Sequence, residues 1–437
     1  MLDKIIAELN ARKDLAGWTV RHIITRGAQV YAVPSGIEAE REVSDEKYRI
    51  DVLRNTKAAD GSAAMGGGPT TLLPGGDIRA AIDEAALVAG LVANPPHTMP
   101  GPRPLPEVPL ADPLIKEDAA KVCVDTMKQI QQTASYPDVR LTSAECFAET
   151  ESTHLVNSRG IDAEQEATHI VIEFVLQSRK GDKNSETHRE MTRRRSSDLN
   201  INAEVANRAR YTRDLLEPSP LPNWQGAVVL RNDALANFMA PDDLAIGPLL
   251  TLSDGGSKYA KVSPWEIGKS VFRGEAKGDP FTFWGNRIAP FGNQSDLFDD
   301  EGLPAQRVEI VRDNVLKTFV TSQKYADYLN IPATGGMGNI EVAAGHTPAN
   351  DLLAEPYIEV VMFSWFHPDN VSGDFASEIR LGYHVENGKA RPFKGGQLIG
   401  NVLDAIADVS WSGETGFYGT YLGPHTARFN DLKVAPT

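Results

Sequence analysis

The sequence predicts an α+β protein, and three observations carry that reading. Apolar residues alternate at Tyr48, Ile50 and Val52, as one buried strand face requires. Ile78, Ile82, Ala85, Ala89 and Val92 recur instead at helical spacing. From Ala227 onward the chain is a long series of strand-like runs and turns.

In order, the chain opens with a short helix marked by Ile5, Ile6 and Leu9. Strands are expected at Trp18–Ile24, Ala28–Val33 and Lys47–Leu53, with Pro34-Ser35-Gly36 in the turn between the last two. Gly66-Gly67-Gly68 reads as a loop before a helix over Ile78–Val92 that Asp77 is placed to cap. Eight prolines between residues 94 and 113 deny the backbone donors that a helix or central strand needs, so this stretch reads as an extended connection.

A helix near Glu117–Gln131 follows, then strands at Val139–Glu149, His154–Asn157, Thr168–Gln177 and Glu186–Arg194, and a helix over Ala203–Leu216. Pro218, Pro220 and Pro222 mark a further boundary before the strand Ala227–Leu230. The expected units are therefore an α+β domain (1–93), a linker (94–113), a middle α+β domain (114–222) and a strand-rich C-terminal domain (223–437). No internal repeat is visible.

Composition narrows the functional classes. Of 437 residues, 24% are charged and 41% apolar, the profile of a soluble globular protein. The net charge of −15 disfavours non-specific binding to nucleic acid or to an anionic membrane. The first residues lack a basic and apolar leader, and no run approaches the ~18 apolar residues of a membrane span. Cys123 and Cys146 are the only cysteines, too few for a disulfide scaffold or a cysteine-rich zinc module. The cytoplasm is the expected compartment.

Three separated motifs add chemistry. Asn157-Ser158-Arg159-Gly160 is a polar turn, and Phe298-Asp299-Asp300-Glu301-Gly302-Leu303-Pro304 holds an acidic triplet before a glycine. The tail carries Ser372-Gly373-Asp374-Phe375, then Gly382-Tyr383-His384-Val385-Glu386-Asn387-Gly388, then Lys394-Gly395-Gly396 through Gly400-Asn401. In this order the motifs resemble the TldD/PmbA family, although Ser372 and Ala376 replace the Thr and Ser that usually flank the Gly-Asp-Phe core. The resemblance implies an N-terminal helix-and-sheet half and a C-terminal half rich in antiparallel strands. It also points to Asn157, Arg159, Gly160, Asp299, Glu301, Gly302, Gly373, Asp374, Phe375 and Asn401 as residues lining a substrate channel or an interface.

That family contains zinc peptidase subunits of TldD type and metal-free partners of PmbA or TldE type. TldD-type subunits carry a HExxxH helix, whose two imidazoles bind zinc while the Glu acts as general base. None of the nine histidines here precedes a Glu, and the closest pair, His154 and His169, is fifteen residues apart. Where the resemblance would place the zinc helix, the chain reads Asp233-Ala234-Leu235-Ala236-Asn237-Phe238-Met239.

The expectation is thus a TldE-like chain that is not catalytic by itself and holds no cofactor, with zinc on a TldD-type partner and an extended or modified peptide as substrate. A homodimer is the expected alternative when that partner is absent. Two rival functions stand beside it: a self-sufficient peptidase with a non-local site, and an interaction protein for DNA gyrase, after the family's older label.

Other features take structural readings. Ser263-Pro264-Trp265-Glu266-Ile267-Gly268-Lys269-Ser270 mimics a phosphate loop, but Pro264 lacks an N–H and Trp265 is bulky. His188, Arg189, Arg193–Arg195, Arg208, Arg210 and Arg213 read as a solvated strand and helix face. His367 and His384 read as hydrogen-bonded structural residues, and Asp374 as an acceptor for loop N–H groups.

Overall fold

The computed structural model describes residues 1–240 and 247–436. Helix α1 (Leu2–Ala11) precedes strands β1 (Gly17–Val33), β2 (Gly36–Lys57) and β3 (Ala63–Leu72) and helix α2 (Ile78–Leu91). Helix α3 (Pro113–Thr133) leads to β4 (Val139–Asn157), β5 (Asp162–Lys180), β6 (Lys183–Arg193) and α4 (Ile201–Asp214). The six strands form one antiparallel sheet in the order β3-β2-β1-β4-β5-β6. Strands from either side of the proline-rich connection therefore pair directly, from Thr19 opposite Asn157 to Ala32 opposite Ala144.

Helices cover one face of this sheet. Ile5 and Leu9 of α1 and Ile82, Ala85 and Ala89 of α2 pack on Val20, Tyr48, Ile50 and Val52. Cys123, Met127 and Ile130 of α3 and Val205 and Ala209 of α4 pack on Ile170, Ile172, Phe174 and Leu176. Removing these apolar groups from water is the main stabilising term. As expected, Asp77 caps α2, its side chain accepting from the Ala80 N–H.

The remainder is strand-rich. It runs β7 (Trp224–Arg231), α5 (Asp233–Met239), α6 (Pro248–Ser253), α7 (Gly255–Tyr259), β8 (Phe283–Asn286), β9 (Arg307–Arg312), β10 (Val315–Leu316) and α8 (Gln323–Leu329). Then come β11 (Asn339–Val342), β12 (Tyr357–Phe363), β13 (Asp374–Glu386), β14 (Lys389–Phe393), β15 (Gln397–Asn401) and α9 (Val402–Ala407). The last strands are β16 (Val409–Trp411), β17 (Thr415–Tyr418), β18 (Tyr421–Pro424) and β19 (Thr426–Ala435). Strands β12-β7-β19-β15-β13 pair in succession and β13 pairs back with β12, which closes a ring. Phe238 and Phe366, packed together with Phe375 and Phe429, sit in its core. A second sheet runs β10-β9-β8-β11-β18-β17. The α+β class holds, with a helix-and-sheet first part and a strand-rich second part. No described helix is long and apolar enough to cross a membrane.

Several boundaries differ from the sequence reading. The two strands expected over Trp18–Val33 are one, because Gly27 lets the backbone of β4 approach at Ala148 and Glu149 without a break. Val139–Asn157 is likewise continuous. Gly66–Gly68 is not a loop but the middle of β3: a Cβ on Gly66 or Gly68 would collide with the carbonyl oxygen of Ala89 or Ala85 on α2. Glycine there sets the distance between helix and sheet. Helix α3 starts four residues before Glu117, with Pro113 in its first turn and Asp112 as cap.

Candidate functional site

A cleft of about 980 Å³ lies between the helix-free face of the first sheet and the strand-rich half. Strand alternation puts Arg21 and Ile23 of β1, Lys47 and Arg49 of β2, Glu151 and Thr153 of β4 and Gln165 of β5 on one wall. The other wall holds Arg287, Asp296, Asp299, Asp300, Glu301 and the Gly335–Gly338 segment. The walls are tied: Arg21 pairs with Asp300 across the cleft and with Asp51 at 3.3 Å, and the Leu297 N–H donates to Gln165 Oε1 at 2.9 Å.

The acidic triplet is a tight turn. Asp299 Oδ1 accepts from the N–H groups of Glu301 (3.0 Å) and Leu303 (2.8 Å). Burial pushes its carboxyl up, against the pull of Arg287 and those N–H groups. Glu301 Oε2 accepts from the Gln323 N–H at 2.7 Å. Burial raises the Glu301 carboxyl to about 7; the Gln323 N–H opposes this, and Asp299 and Asp300 add to it. A carboxyl poised there can take or give a proton near neutrality. Arg287, only 4% exposed, pairs with Asp296 at 3.1 Å.

Two of the three sequence motifs meet behind this turn. Gly302 adopts φ +88 and has no room for a Cβ, which would press on Ile161 and Leu155. Phe298 joins the same apolar cluster. Asn157 is buried: its Oδ1 accepts from the Arg159 and Ile161 N–H groups, and its Nδ2 donates to the Pro100 carbonyl. Asn157 and Gly160 (φ +91) thus shape the turn, while Arg159 is exposed. Of the sequence candidates, Asp299 and Glu301 line the cleft and Gly302 and Asn157 support it.

Gly373, Asp374, Phe375 and Asn401 gather elsewhere, on the closed ring. Asn401 caps α9 through the Leu403 and Asp404 N–H groups and donates to the Ser372 carbonyl and to Asp374 Oδ1. The expected loop acceptor is corrected: Asp369, not Asp374, takes the Val371 and Ser372 N–H groups. Phe375 is buried against Phe238 and Phe366.

The basic cluster also needs correction. Arg195 and Arg213 are partly exposed, but Arg189, Arg193, Arg194 and Arg208 are buried, because neighbouring elements supply partners that spacing cannot reveal. Arg189 bonds Glu204 at 2.7 Å and Asp233 at 2.9 Å, and Arg208 lies 3.9 Å from Asp233. Arg194 donates to the carbonyls of Gly292, Asn293 and Ser295. Burial raises the Asp233 carboxyl, but Arg189, Arg208 and Arg193 outweigh it and hold it low.

Asp233 opens α5, where the sequence resemblance would place a zinc helix. Its one carboxylate is committed to guanidinium groups, and the rest of the helix offers neither His, Cys nor a carboxylate, so zinc does not fit there. Among the described residues, Glu173, His188 and Glu190 form the one group whose ligand-type atoms cluster, with His188 bonded to Glu173 at 2.9 Å. The phosphate-loop mimic leads into no helix: Trp265 is buried and Lys269 pairs with Glu266. His367 stacks on Trp365, and the buried Nε2 of His384 has no partner, contrary to the hydrogen-bonded role expected of it. Spacing gave no sign of Arg21, Arg287 or Asp296; the glycines at 335 and 338, where a Cβ would press on Arg287, were the visible hint of a close approach.

Comparison with known proteins places this geometry. Residues 227–436 match the PmbA/TldA metallopeptidase C-terminal domain family. An uncharacterised protein of Methanocaldococcus jannaschii is 24% identical over 58% of this chain, and the match spans 60% of that protein's length. A protein of Saccharolobus solfataricus named a zinc metalloprotease TldD homolog is 29% identical over 31% of this chain and 34% of its own length. Two solved structures share the fold: TldE from Thermococcus kodakarensis (TM-score 0.81, 17% identity, 100% and 99% of the two chains) and a putative modulator of DNA gyrase from Thermotoga maritima (0.82, 19%, 99% of each).

Proposed function

From a chain whose residues 227–436 are a TldD/PmbA-family C-terminal domain, we propose a metal-free subunit that holds extended peptides for a TldD-type zinc peptidase partner. The carrying observation is α5: no histidine stands on it, and its only carboxylate is bound by Arg189 and lies beside Arg208. The fold shared with TldE supports the same reading. The cleft of about 980 Å³ has room for a peptide segment, and its opposed charged walls suit main-chain and side-chain polar groups. The cytoplasm is the compartment that fits two buried, unpaired cysteines.

The test is to mix the chain with a TldD-type subunit and follow hydrolysis of several unstructured peptides. The complex should be stable and more active than the partner alone, with zinc content set by the partner. Equal activity with and without this chain, across all peptides, would sink the proposal. A second reading draws on Glu301: a carboxyl near 7 in a large cleft suits a general base in a self-sufficient hydrolase. Peptide hydrolysis by the purified chain alone, lost in Glu301→Gln, would favour that reading instead.

A further inference from the structure

The segment Gly335-Gly336-Met337-Gly338 forms part of the cleft wall opposite the first sheet. Its two ends are fastened. The Thr334 and Gly335 N–H groups donate to the Thr321 carbonyl at 3.1 and 2.9 Å, and β11 begins at Asn339. Between those ends, the N–H groups of Gly336, Met337 and Gly338 donate to none of the described residues. Gly336 is exposed, and a Cβ placed on it would meet nothing within 4 Å. Backbone N–H groups are obligatory donors, so these three bond either water or a ligand.

The same backbone is supported from below. Gly335 (φ +77) and Gly338 (φ +70) lie directly on Arg287, where a Cβ would press on its Nη1 or its Cγ. Glycine meets both the left-handed backbone and the close approach. Arg287 is only 4% exposed and pairs with Asp296 at 3.1 Å, so the segment rests on a fixed side chain. Donors held in place beforehand lose little freedom when a ligand arrives. Across the cleft the acidic triplet and Asp296 are already engaged: Asp299 by the Glu301 and Leu303 N–H groups, Glu301 by the Gln323 N–H, Asp300 by Arg21 and Asp296 by Arg287. The loop's open donors complement a ligand rich in carbonyl oxygens.

We propose that Gly336-Met337-Gly338 is the main-chain clamp of the cleft, its N–H groups bonding carbonyl oxygens of an extended peptide. Main-chain bonds of this kind give affinity whatever the side chains are, so the ligand class is unfolded peptide in general rather than one sequence. The clamp rests on the substrate-holding reading above and gives that reading its contact residues.

Hydrogen exchange of the full chain, read by mass spectrometry with and without saturating acetyl-hexa-alanine-amide, tests the clamp directly. That probe carries carbonyl groups and no charge. Exchange of the Gly336, Met337 and Gly338 amides should slow by roughly tenfold or more when the peptide is bound. Calorimetry supplies the affinities. Gly336→Pro deletes one N–H and should weaken binding by about fivefold, the loss of one neutral hydrogen bond. Gly336→Ala keeps the N–H, puts its Cβ in open space and should bind as wild type. Thermal melts check both variants, and if Gly336→Pro does not fold the exchange measurement decides alone. Bound peptide without protection of these amides overturns the clamp while peptide holding survives. So does a folded Gly336→Pro that binds as wild type, or an equal loss in Gly336→Ala. Binding of acidic or basic hexapeptides but not of the alanine probe likewise overturns the clamp and leaves holding in place. If none of these peptides binds, holding and clamp fall together.

Discussion

Glu301 shows how a single residue can be obvious in the sequence yet silent about its chemistry. Its place in an acidic triplet is legible, but its carboxyl near 7 comes from burial between two halves of the chain. The folded value lies above the ordinary 4.5, so below that pH both states are protonated and nothing is lost. Between 4.5 and about 7 the unfolded state ionises first, and stability falls as pH rises. Glu301→Gln keeps an acceptor for the Gln323 N–H and removes this penalty. The variant should match wild type near pH 4 and exceed it by roughly 1–3 kcal/mol near pH 8 in urea unfolding. A difference independent of pH would show that Glu301 is not held protonated. The arginines teach the converse: Arg189 and Arg208 look like surface residues by type, and only Glu204 and Asp233 make their burial tolerable.

At the scale of elements, glycine is the recurrent device. β3 lies close under α2 because Gly66 and Gly68 present no side chain to the helix, whereas Gly67 faces away, where a Cβ would make only ordinary contacts, with Leu53 at 3.6 Å and the Val52 carbonyl at 4.0 Å. Gly68→Ala should therefore cost about 1–3 kcal/mol through forced separation of helix and sheet. Gly67→Ala should cost clearly less. Equal losses in thermal melts of the two variants would refute the close-approach explanation. The Gly373-Asp374-Phe375 element has a similar logic: Asn401 fastens the loop and caps α9, and the ring buries Phe375, so the motif stabilises the strand-rich half rather than facing the large cleft.

For the whole molecule, the proline-rich connection is extended as the sequence predicts, yet it is strapped to the body. Asp327 accepts from the Thr98 N–H and hydroxyl, Tyr328 bonds the Pro95 carbonyl, and the Phe291 and Thr168 N–H groups bond the Pro109 and Leu110 carbonyls. The tip between β5 and β6, Lys180–Asn184, is exposed throughout. Limited proteolysis should thus cut within 180–184 before it cuts within 94–113, because cleavage needs local detachment of backbone. Earlier cleavage in the connection, seen by mass spectrometry, would mean that these straps open readily.

Sequence by itself determined the α+β class, the capped helix after Asp77, the buried cysteines and a motif order that resembles the TldD/PmbA family, because periodicity, capping and glycine turns are local properties. It also excluded a HExxxH helix outright. Only the tertiary structure decided that β1 and β4 join the first and middle segments in one sheet, that Gly302 and Ile161 meet, and that Arg189 reaches Glu204 and Asp233. Each depends on partners more than a hundred residues apart, or on which of several acids a given arginine reaches. Neither distance nor pairing is encoded in a local pattern; both are set when the apolar faces close on one another.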